Sequence, residues 1–277
     1  MPNVPNGNHD KDRTGNRYAI LVAGGNCERR HLNDLEFCYR MLTDHYAFAP
    51  EDIAVCYFHG KLEVGVDPQP TSYPDEGTDE PYEITARITT DRKGTGAAVG
   101  AALRALNANN KLQPDDLVFV HINGHGYMNG GEAYLLEEGG GKYTAGDFSK
   151  DLEDLRPHAK LLIMMEQCFS AGFITPVLNA NIQAQSVSIA CASATYSGFT
   201  NDQLFNCFSK AWIAAHMNES PWGKVLTAKT DTNNSGFIEA NEAFVYARNR
   251  KHEDDDPKQG NHPDSGAAAA QSIIRLA

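Results

Sequence analysis

The chain has 277 residues, of which 41% are hydrophobic and 22% are charged, and its formal net charge is −12. This composition suits a globular protein with a sizeable core, and the absence of a basic stripe excludes a typical nucleic-acid-binding protein. No apolar run approaches the roughly 20 residues that a membrane span requires, so we expect neither nucleic acid nor a membrane as a partner.

The chain begins with a polar stretch, residues 1–17, which we predict to be a disordered leader. It lacks the hydrophobic segment of a signal peptide, which favours a cytoplasmic location; if a signal was trimmed from this sequence, the protein would be secreted or periplasmic. The six cysteines form no Cys-x-x-Cys pair and several lie in apolar runs, a pattern typical of free buried thiols in a reducing compartment.

Five short apolar runs, often β-branched, predict strands that are buried on both faces of a parallel sheet. They are Tyr18–Ala23, Ile53–Phe58, Leu117–Ile122, Leu161–Met165 and Val187–Ala192. Helices are expected between or after them, at Leu35–His45, Gly96–Asn107, Ala145–Leu155 and Asn201–Met217. This alternation predicts an α/β fold with a layered sheet, formed by residues 18–277 as a single domain.

Three segments interrupt the alternation. Lys61–Arg92 is rich in Pro, Thr and acidic residues, and we predict a long surface loop there. Tyr127–Lys142 places apolar residues between glycine clusters and predicts a hairpin. Lys251–Gly266 is similarly polar and lacks the pattern of a helix or a strand.

Two of the predicted strands end in residues suited to covalent catalysis. The fourth runs into Glu-Gln-Cys168, so a thiol stands where the apolar run stops, and the third is followed by Asn-Gly-His125-Gly126. Functional groups gather at the carboxyl ends of strands in open α/β sheets, so the two residues would face each other if the strands are neighbours. An imidazole can activate a thiol, and the N–H groups of Gly126 and Cys168 are suited to an oxyanion hole.

Other interpretations of these residues were weighed. His121 and His125 are four residues apart, as in a zinc pair on a helix, but the run around them predicts a strand, on which such residues are not adjacent. A His between glycines can also stand in a plain turn, and a lone Cys is often structural. The pairing of the two residues at strand ends favours catalysis.

At these positions the sequence resembles the caspase-like clan of cysteine peptidases and, within it, a bacterial-type member of the legumain (asparaginyl endopeptidase, C13-like) family. That family has one strand ending in His-Gly and another ending in Glu-x-Cys-x-Ser-Gly, and here Ala171 is inserted before the last Gly. The first predicted strand is followed by the family's Arg-His-x-x-Asp, at Arg30, His31 and Asp34. The resemblance spans residues 18–217.

The resemblance implies a three-layer sandwich in which a mostly parallel sheet of about six strands carries helices on both faces. It makes Cys168 the nucleophile, His125 the general base and Gly126 an oxyanion donor. It places the substrate side chain before the cleaved bond, P1, in a pocket where a guanidinium contacts the Asn carbonyl and a carboxylate accepts its N–H₂. The expected substrate-binding residues are Arg30, His31, Glu166, Ser193, Ser197 and Asn206.

The sequence departs from the family pattern at three positions. Asn206 stands at or near a second acidic residue of the pocket, which makes the pocket less acidic. Glu28 aligns with the Asn that orients the catalytic His, and we expect its carboxylate to accept the imidazole N–H. Gly124 replaces an Asp that is linked to ligase behaviour, so ligase activity of that kind is not expected.

A separate motif at residues 231–242 fits the EF-hand calcium loop, with oxygen-bearing side chains at positions 1, 3, 5, 9 and 12 and Gly at position 6. The alternative is a turn that caps the helix after it. We predict a structural Ca²⁺ site and no organic cofactor. The expected ligands are Asp231, Asn233, Ser235, Phe237 through its carbonyl, Glu239 and Glu242.

The sequence therefore predicts a cysteine endopeptidase that hydrolyses protein or peptide bonds after Asn, and secondarily after Asp, through a His-Cys dyad. One alternative is a caspase-like peptidase with a basic P1 residue, because Glu166 can pair with Lys or Arg, although Arg30 argues against it. The other is a calcium-binding regulatory module with a vestigial dyad. The oligomeric state stays open.

Overall fold

The computed structural model describes residues 15–62, 71–74, 81–84, 87–200 and 203–263. The helices are α1 (Arg29–Arg40), α2 (Gly96–Asn107), α3 (Ala145–Glu153), α4 (Ile174–Asn179), α5 (Cys207–Met217) and α6 (Ala240–Arg248). The strands are β1 (Arg17–Ala23), β2 (Ile53–Tyr57), β3 (Thr71–Pro74), β4 (Pro81–Ile84), β5 (Leu117–Asn123), β6 (Gly126–Asn129), β7 (Glu132–Leu136), β8 (Lys142–Thr144), β9 (His158–Met165), β10 (Ala184–Cys191) and β11 (Lys258–His262).

A six-stranded sheet in the order β11-β10-β9-β5-β1-β2 forms the centre of the molecule. The five strands from β10 to β2 are parallel to one another, and β11 pairs with β10 in antiparallel orientation at one edge of the sheet. β1, β5, β9 and β10 are nearly continuous apolar runs, as expected for strands covered on both faces. The predicted α/β fold with about six mostly parallel strands is confirmed.

Helices cover both faces of this sheet. On one face Leu21 and Phe119 pack against residues of α1, α5 and α6, and Phe119 stacks on the fully buried Trp212 with ring centroids 5.9 Å apart. On the other face Ile20 and Val118 pack against α2, α3 and α4. Successive strand residues point to opposite faces, so each apolar run supplies both cores and the helices form the two outer layers.

Several predicted boundaries were wrong. The first helix begins at Arg29 rather than Leu35 and ends at Arg40, where a π-helical turn over Met41–His45 follows. The fourth predicted helix begins at Cys207 instead of Asn201, and residues 201–202 lie outside the described part. The predicted hairpin at Tyr127–Lys142 is a three-stranded antiparallel sheet of β6, β7 and β8.

The polar segments also hold ordered structure. Lys251–Gly266 contributes β11, whose pairing uses backbone groups and needs no apolar pattern. Within Lys61–Arg92, β3 and β4 pair, and Ile88 is buried in the core, so the end of that segment is not a surface loop. Its residues 63–70, 75–80 and 85–86, and residues 1–14 of the predicted leader, lie outside the described residues. In the described part, no helix is long and apolar enough to cross a membrane.

Candidate active site

The candidate site lies at the carboxyl ends of four adjacent strands, β1, β5, β9 and β10. Glu28 ends the β1–α1 turn and Arg30 lies in the first turn of α1. The end of β5 leads to His125, the end of β9 leads to Cys168, and the segment after β10 contains Ser197. Because all four strands are parallel, these residues lie together at the carboxyl ends of the strands although they are far apart in sequence.

A tight turn presents Cys168 immediately after β9. Phe169 adopts φ +59°, an uncommon value for a residue with a side chain, and the chain then enters a 3₁₀ turn at Ser170–Phe173. A Cβ atom on Gly126 would lie 2.1 Å from the Cys168 carbonyl oxygen. The backbones that follow β5 and β9 are therefore in direct contact, and this contact requires glycine at position 126.

His125 is held by two residues of the β1–α1 segment. Its Nε2 lies 3.2 Å from Oε1 of Glu28, and its ring packs edge-on against His31 with centroids 5.1 Å apart. When Nε2 carries the hydrogen that faces this carboxylate, Nδ1 has a free lone pair that can accept a proton. His31 is only 1% exposed, and burial lowers its pKa well below the usual range, so this predicted substrate-binding residue supports the base as a neutral ring.

The Cys168 sulfur contacts the segment after β10. The backbone N–H of Ser197 donates to Sγ at 3.2 Å, and the Ser197 hydroxyl lies 3.9 Å from it. An N–H aimed at sulfur stabilises the negative charge of a thiolate. Ser197 therefore lies against the predicted nucleophile.

Arg30 and Glu166, the two predicted contacts of the P1 side chain, each have their own neighbours in the described structure. The Arg30 guanidinium lies 3.2 Å from the Glu28 carboxylate and 4.6 Å from the centre of the Phe199 ring. Glu166 is buried, its Oε2 accepts the Ser209 N–H at 2.6 Å, and its Oε1 has no hydrogen-bond partner among the described residues. Burial, followed by the charge of Asp34, raises the pKa of Glu166 well above its usual range.

Asn206 belongs to a buried network instead of the pocket surface. Its Nδ2 donates to Asp34 Oδ2 at 2.6 Å, and the Asn123 amide donates to the same oxygen at 3.0 Å. Burial raises the pKa of Asp34 to about 7, although both amides partly oppose this effect. Asn206 was predicted as a substrate-binding residue at or near an acidic position of the pocket; in the structure its side chain holds α1 against the start of α5.

A short acidic segment holds residues 193–198, which follow β10 and form the wall of the site beside Cys168. Residues 252–256, here called the C-terminal strap, include Asp255, whose carboxylate accepts the N–H groups of Gly198 at 2.6 Å and His252 at 2.9 Å. The Asp256 N–H donates to the Ser193 hydroxyl at 3.0 Å, so Ser193, which is fully buried, ties the wall to the strap. No sequence motif marked Asp255, Asn123 or Ser209, because their roles depend on tertiary contacts.

Comparison with known proteins identifies the family. The model of the peptidase C13 family matches residues 17–252, which is most of the chain. The chain belongs to the peptidase C13 family. The vacuolar-processing enzyme delta-isozyme of Arabidopsis thaliana is 25% identical to it over 196 residues, which is 65% of this chain and 41% of that protein. The chain thus spans less than half the length of this curated relative.

Solved structures give a more distant likeness. A crystal structure of a Geobacter sulfurreducens protein superposes with a TM-score of 0.51 at 11% identity, over 91% of this chain and 96% of that one. This likeness concerns the fold alone. A secreted C11 cysteine protease from Bacteroides thetaiotaomicron, crystallised with an irreversible peptide inhibitor, gives a TM-score of 0.39 at 13% identity, over 76% of this chain and 56% of that one.

In this C13-family chain, burial governs the protonation of five cysteines, Cys27, Cys38, Cys56, Cys191 and Cys207. All six are free thiols. Burial is the main cause that raises the pKa of each of these five, to about 12 for Cys56 and Cys207. Those five thiols therefore stay protonated near neutral pH, and the thiolate is the form of cysteine that reacts.

The buried network of this C13-family chain makes stability depend on pH. The pKa of Asp34 is about 7 in the folded chain, against an ordinary value of 3.8, so the folded state binds the proton more tightly. The free energy of unfolding therefore falls as pH rises from about 4 to about 7. Asp34→Asn keeps an oxygen for both amides and should remove much of this fall, by an amount on the order of 2–4 kcal/mol.

Urea unfolding at pH 5, 6, 7 and 8 measures this effect. Asp91→Asn is the matched control, because the Asp91 side chain is 81% exposed. Glu166 also has a raised pKa and contributes a residual slope of the same sign. Equal pH slopes for Asp34→Asn and the unmodified protein would contradict the expected role of Asp34.

Proposed function

We propose that this chain is a cysteine endopeptidase that hydrolyses peptide bonds after Asn and, more slowly, after Asp. The observation that supports the proposal most directly is the position of His125-Gly126 and Cys168 just after two neighbouring parallel strands of a C13-family chain, with the Gly126 backbone against the Cys168 carbonyl. The contact between His125 and Glu28 and the N–H that Ser197 directs at the sulfur fit the same role.

The reaction follows from this arrangement. Cys168 transfers its proton to His125, and the thiolate attacks the scissile carbonyl carbon. The resulting oxyanion accepts hydrogen bonds from the N–H groups of Gly126 and Cys168. His125 returns the proton to the leaving amine, and a water then hydrolyses the thioester with His125 as base. Glu28 stabilises the imidazolium that exists between these proton transfers.

The P1 preference rests on Glu166. Its Oε1 is a buried acceptor without a partner, which is costly unless a substrate supplies a donor. The N–H₂ of an Asn side chain supplies that donor without bringing a second charge into the pocket. An Asp at P1 must carry a proton to do so, because two carboxylates in contact repel each other.

A basic P1 residue is the second candidate, for a specific reason. Arg30 pairs with Glu28 and stacks on Phe199, so it does not neutralise Glu166 directly. A Lys or Arg side chain that reaches Oε1 would then find an uncompensated carboxylate. Against this, a Lys or Arg side chain must lose the hydration of its charge to reach a fully buried carboxylate, whereas the amide of Asn carries no charge.

Fluorogenic peptides with Asn, Asp, Arg, Lys or Ala at P1 test the proposal. We expect cleavage to be fastest after Asn and to fall by at least ~10³-fold in Cys168→Ala, with Cys207→Ala as the matched control that keeps its activity. Cleavage only after Arg or Lys would establish the second candidate. Absence of cleavage after every residue, together with failure of a thiol-reactive probe to label Cys168, would favour the regulatory module.

We also propose that residues 231–242 bind Ca²⁺. Gly236, at position 6, has φ +81°, and Asn234 has φ +58°. The Asp231 carboxylate faces the N–H groups of Ser235 and Gly236, and Glu242 Oε1 faces those of Thr232 and Asn233, so both carboxylates turn into the loop. The preceding residues form no entering helix. No group of three His, Cys, Asp or Glu around a metal position is found in the described residues, but half of the expected ligands here are amide, hydroxyl or carbonyl oxygens.

Calcium should therefore stabilise the folded chain. At a concentration about a hundredfold above its dissociation constant, a bound ion adds about 2.7 kcal/mol, which raises the melting temperature by roughly 5–10 °C for a chain of this size. Asp231→Asn should abolish most of this shift, whereas Asp91→Asn should keep it. Equal melting temperatures with millimolar calcium and with chelator, and no heat on titration, would exclude the site.

A further inference from the structure

A cavity of about 750 Å³ lies beside the wall of the candidate active site. It is bounded by α5, by the segment that follows α6 and by residues 220–226, and its inner end is formed by Phe199, Thr200 and Cys207. We call it the basic cavity. The proposed reaction does not use it, yet its volume is in the range of ligand pockets.

Its lining carries an excess of positive charge in a chain whose net charge is −12. Among the described residues of the lining, Lys210, Arg250 and Lys251 are cationic, His252 is titratable, and Glu253 is the carboxylate. The Asp254 carboxylate lies 3.4 Å from the His252 ring. A local reversal of the overall charge favours an anionic ligand over a neutral or cationic one.

The cationic groups are held in place by aromatic rings. The Lys210 ammonium lies 4.6 Å from the centre of the Trp222 ring, and the Arg250 guanidinium lies 3.7 Å from that of Tyr246. A guanidinium stacked on a ring keeps the N–H groups in its plane available for a carboxylate. Lys251 donates to backbone carbonyls of residues 252, 253 and 255, which fixes its charge at the rim.

The basic cavity adjoins residues of the candidate active site. Phe199 lines the cavity, and its ring is also the surface on which Arg30 lies, with 4.6 Å between the guanidinium and the ring centre. The Cys207 N–H donates to the Gly198 carbonyl, and the neighbouring Ser197 contacts the nucleophile. A peptide bound across Cys168 therefore passes within a few residues of the cavity mouth, since an extended chain advances about 3.3 Å per residue.

We propose that the basic cavity is a subsite for an acidic side chain of the substrate, located within a few residues of the cleaved Asn. This inference rests on the proposed function and refines its substrate class to Asn-containing segments with a nearby Asp or Glu. The subsite adds binding free energy through charge and does not contribute to the chemical step. Partly exposed ion pairs have modest energies, so several together should change kcat/KM by about fivefold to twentyfold.

A peptide series with Asn fixed at P1 tests the proposal. Asp, Ala or Lys is placed in turn at each position from P4 to P2 and from P1′ to P3′. We expect one position where Asp is cleaved about fivefold to twentyfold faster than Ala, and where Lys is cleaved more slowly. Lys210→Glu and Arg250→Glu should abolish or invert this preference while cleaving the all-Ala peptide at the normal rate. Lys150→Glu, an equal charge change on α3 across the sheet, should leave it intact.

A binding experiment tests the subsite independently of cleavage, and so independently of the proposed function. The same peptides, labelled with fluorescein, are titrated with Cys168→Ala protein and followed by anisotropy, and melting curves verify that each variant is folded. Tighter binding of the Asp peptide, lost in Lys210→Glu and Arg250→Glu but kept in Lys150→Glu, supports the subsite even if cleavage is absent. Equal affinity for Asp, Ala and Lys peptides at every position overturns the subsite, whether or not cleavage after Asn is observed.

Discussion

Gly126→Ala should lower kcat/KM for an Asn peptide by about 10²–10³-fold while the protein remains folded. The added Cβ would lie 2.1 Å from the Cys168 carbonyl oxygen and 2.7 Å from the Gln167 Cγ. A backbone oxygen cannot move aside without moving its residue, so the substitution displaces the nucleophile and the oxyanion donor together. The effect is steric, because Gly126 is not among the residues with positive φ.

Gly146→Ala provides the matched control. It lies in the first turn of α3, and its added Cβ would meet only the end of the flexible Glu132 side chain at 3.0 Å and a hydroxyl at 3.7 Å. We expect normal activity for this variant. Measurement of kcat/KM, a melting curve and the alkylation rate of Cys168 distinguishes displacement from unfolding. A Gly126→Ala protein with near-normal kcat/KM would show that the two strand ends do not act together.

Glu166→Gln should lower kcat/KM for P1 Asn by about a hundredfold and reduce the preference for Asn over Asp by at least about tenfold. The N–H₂ of a bound Asn stabilises the ionised form of Glu166, and a hydrogen bond to a charged acceptor contributes roughly 1.5–3 kcal/mol. The variant replaces that acceptor with an amide that can also donate to an Asp carboxylate. The thermal stability of the variant should be unchanged or higher, although its activity falls. Burial raises the pKa of Glu166, so the ionised form is unfavourable in the folded state, and the neutral variant should melt at an equal or higher temperature above pH 7.

The opposed changes in activity and stability make this a specific test. Steady-state kinetics with P1 Asn, Asp and Ala, together with melting curves at pH 8, measure both. Glu253→Gln removes an exposed carboxylate at the edge of the basic cavity and should leave the P1 preference unchanged. An equal loss of rate for all P1 residues would indicate that Glu166 only supports the wall and does not select the substrate.

The sequence predicted the inner sheet well, for a physical reason. Strands β1, β5, β9 and β10 are covered on both faces, so their residues are almost all apolar and their ends are marked by the first polar residue. The end of β9 therefore also located Cys168. β11 was missed because KQGNH pairs through its backbone at the sheet edge and buries little side-chain area.

Parts of the site could not be inferred from pattern alone. The start of α1 was placed too late because the helix begins in a charged, polar segment, where the Glu28 N–H donates to Nδ1 of His31. Asn206 was assigned to the pocket because alignment gives a position, whereas the direction of its side chain depends on the buried carboxylate of Asp34. The calcium ligands and the P1 preference stay predictions that the experiments above address.

The position of the C-terminal strap in the chain has a consequence for biosynthesis. The nucleophile and the base lie in the middle of the sequence, but the wall beside Cys168 is fixed by hydrogen bonds from residues 252–256, and the sheet is completed only by β11. Chains fold as they leave the ribosome, so the wall is the last part of the site to be ordered. A nascent chain that has not yet reached the strap therefore carries Cys168 without the hydrogen bonds that fix Ser193 and Gly198 beside it.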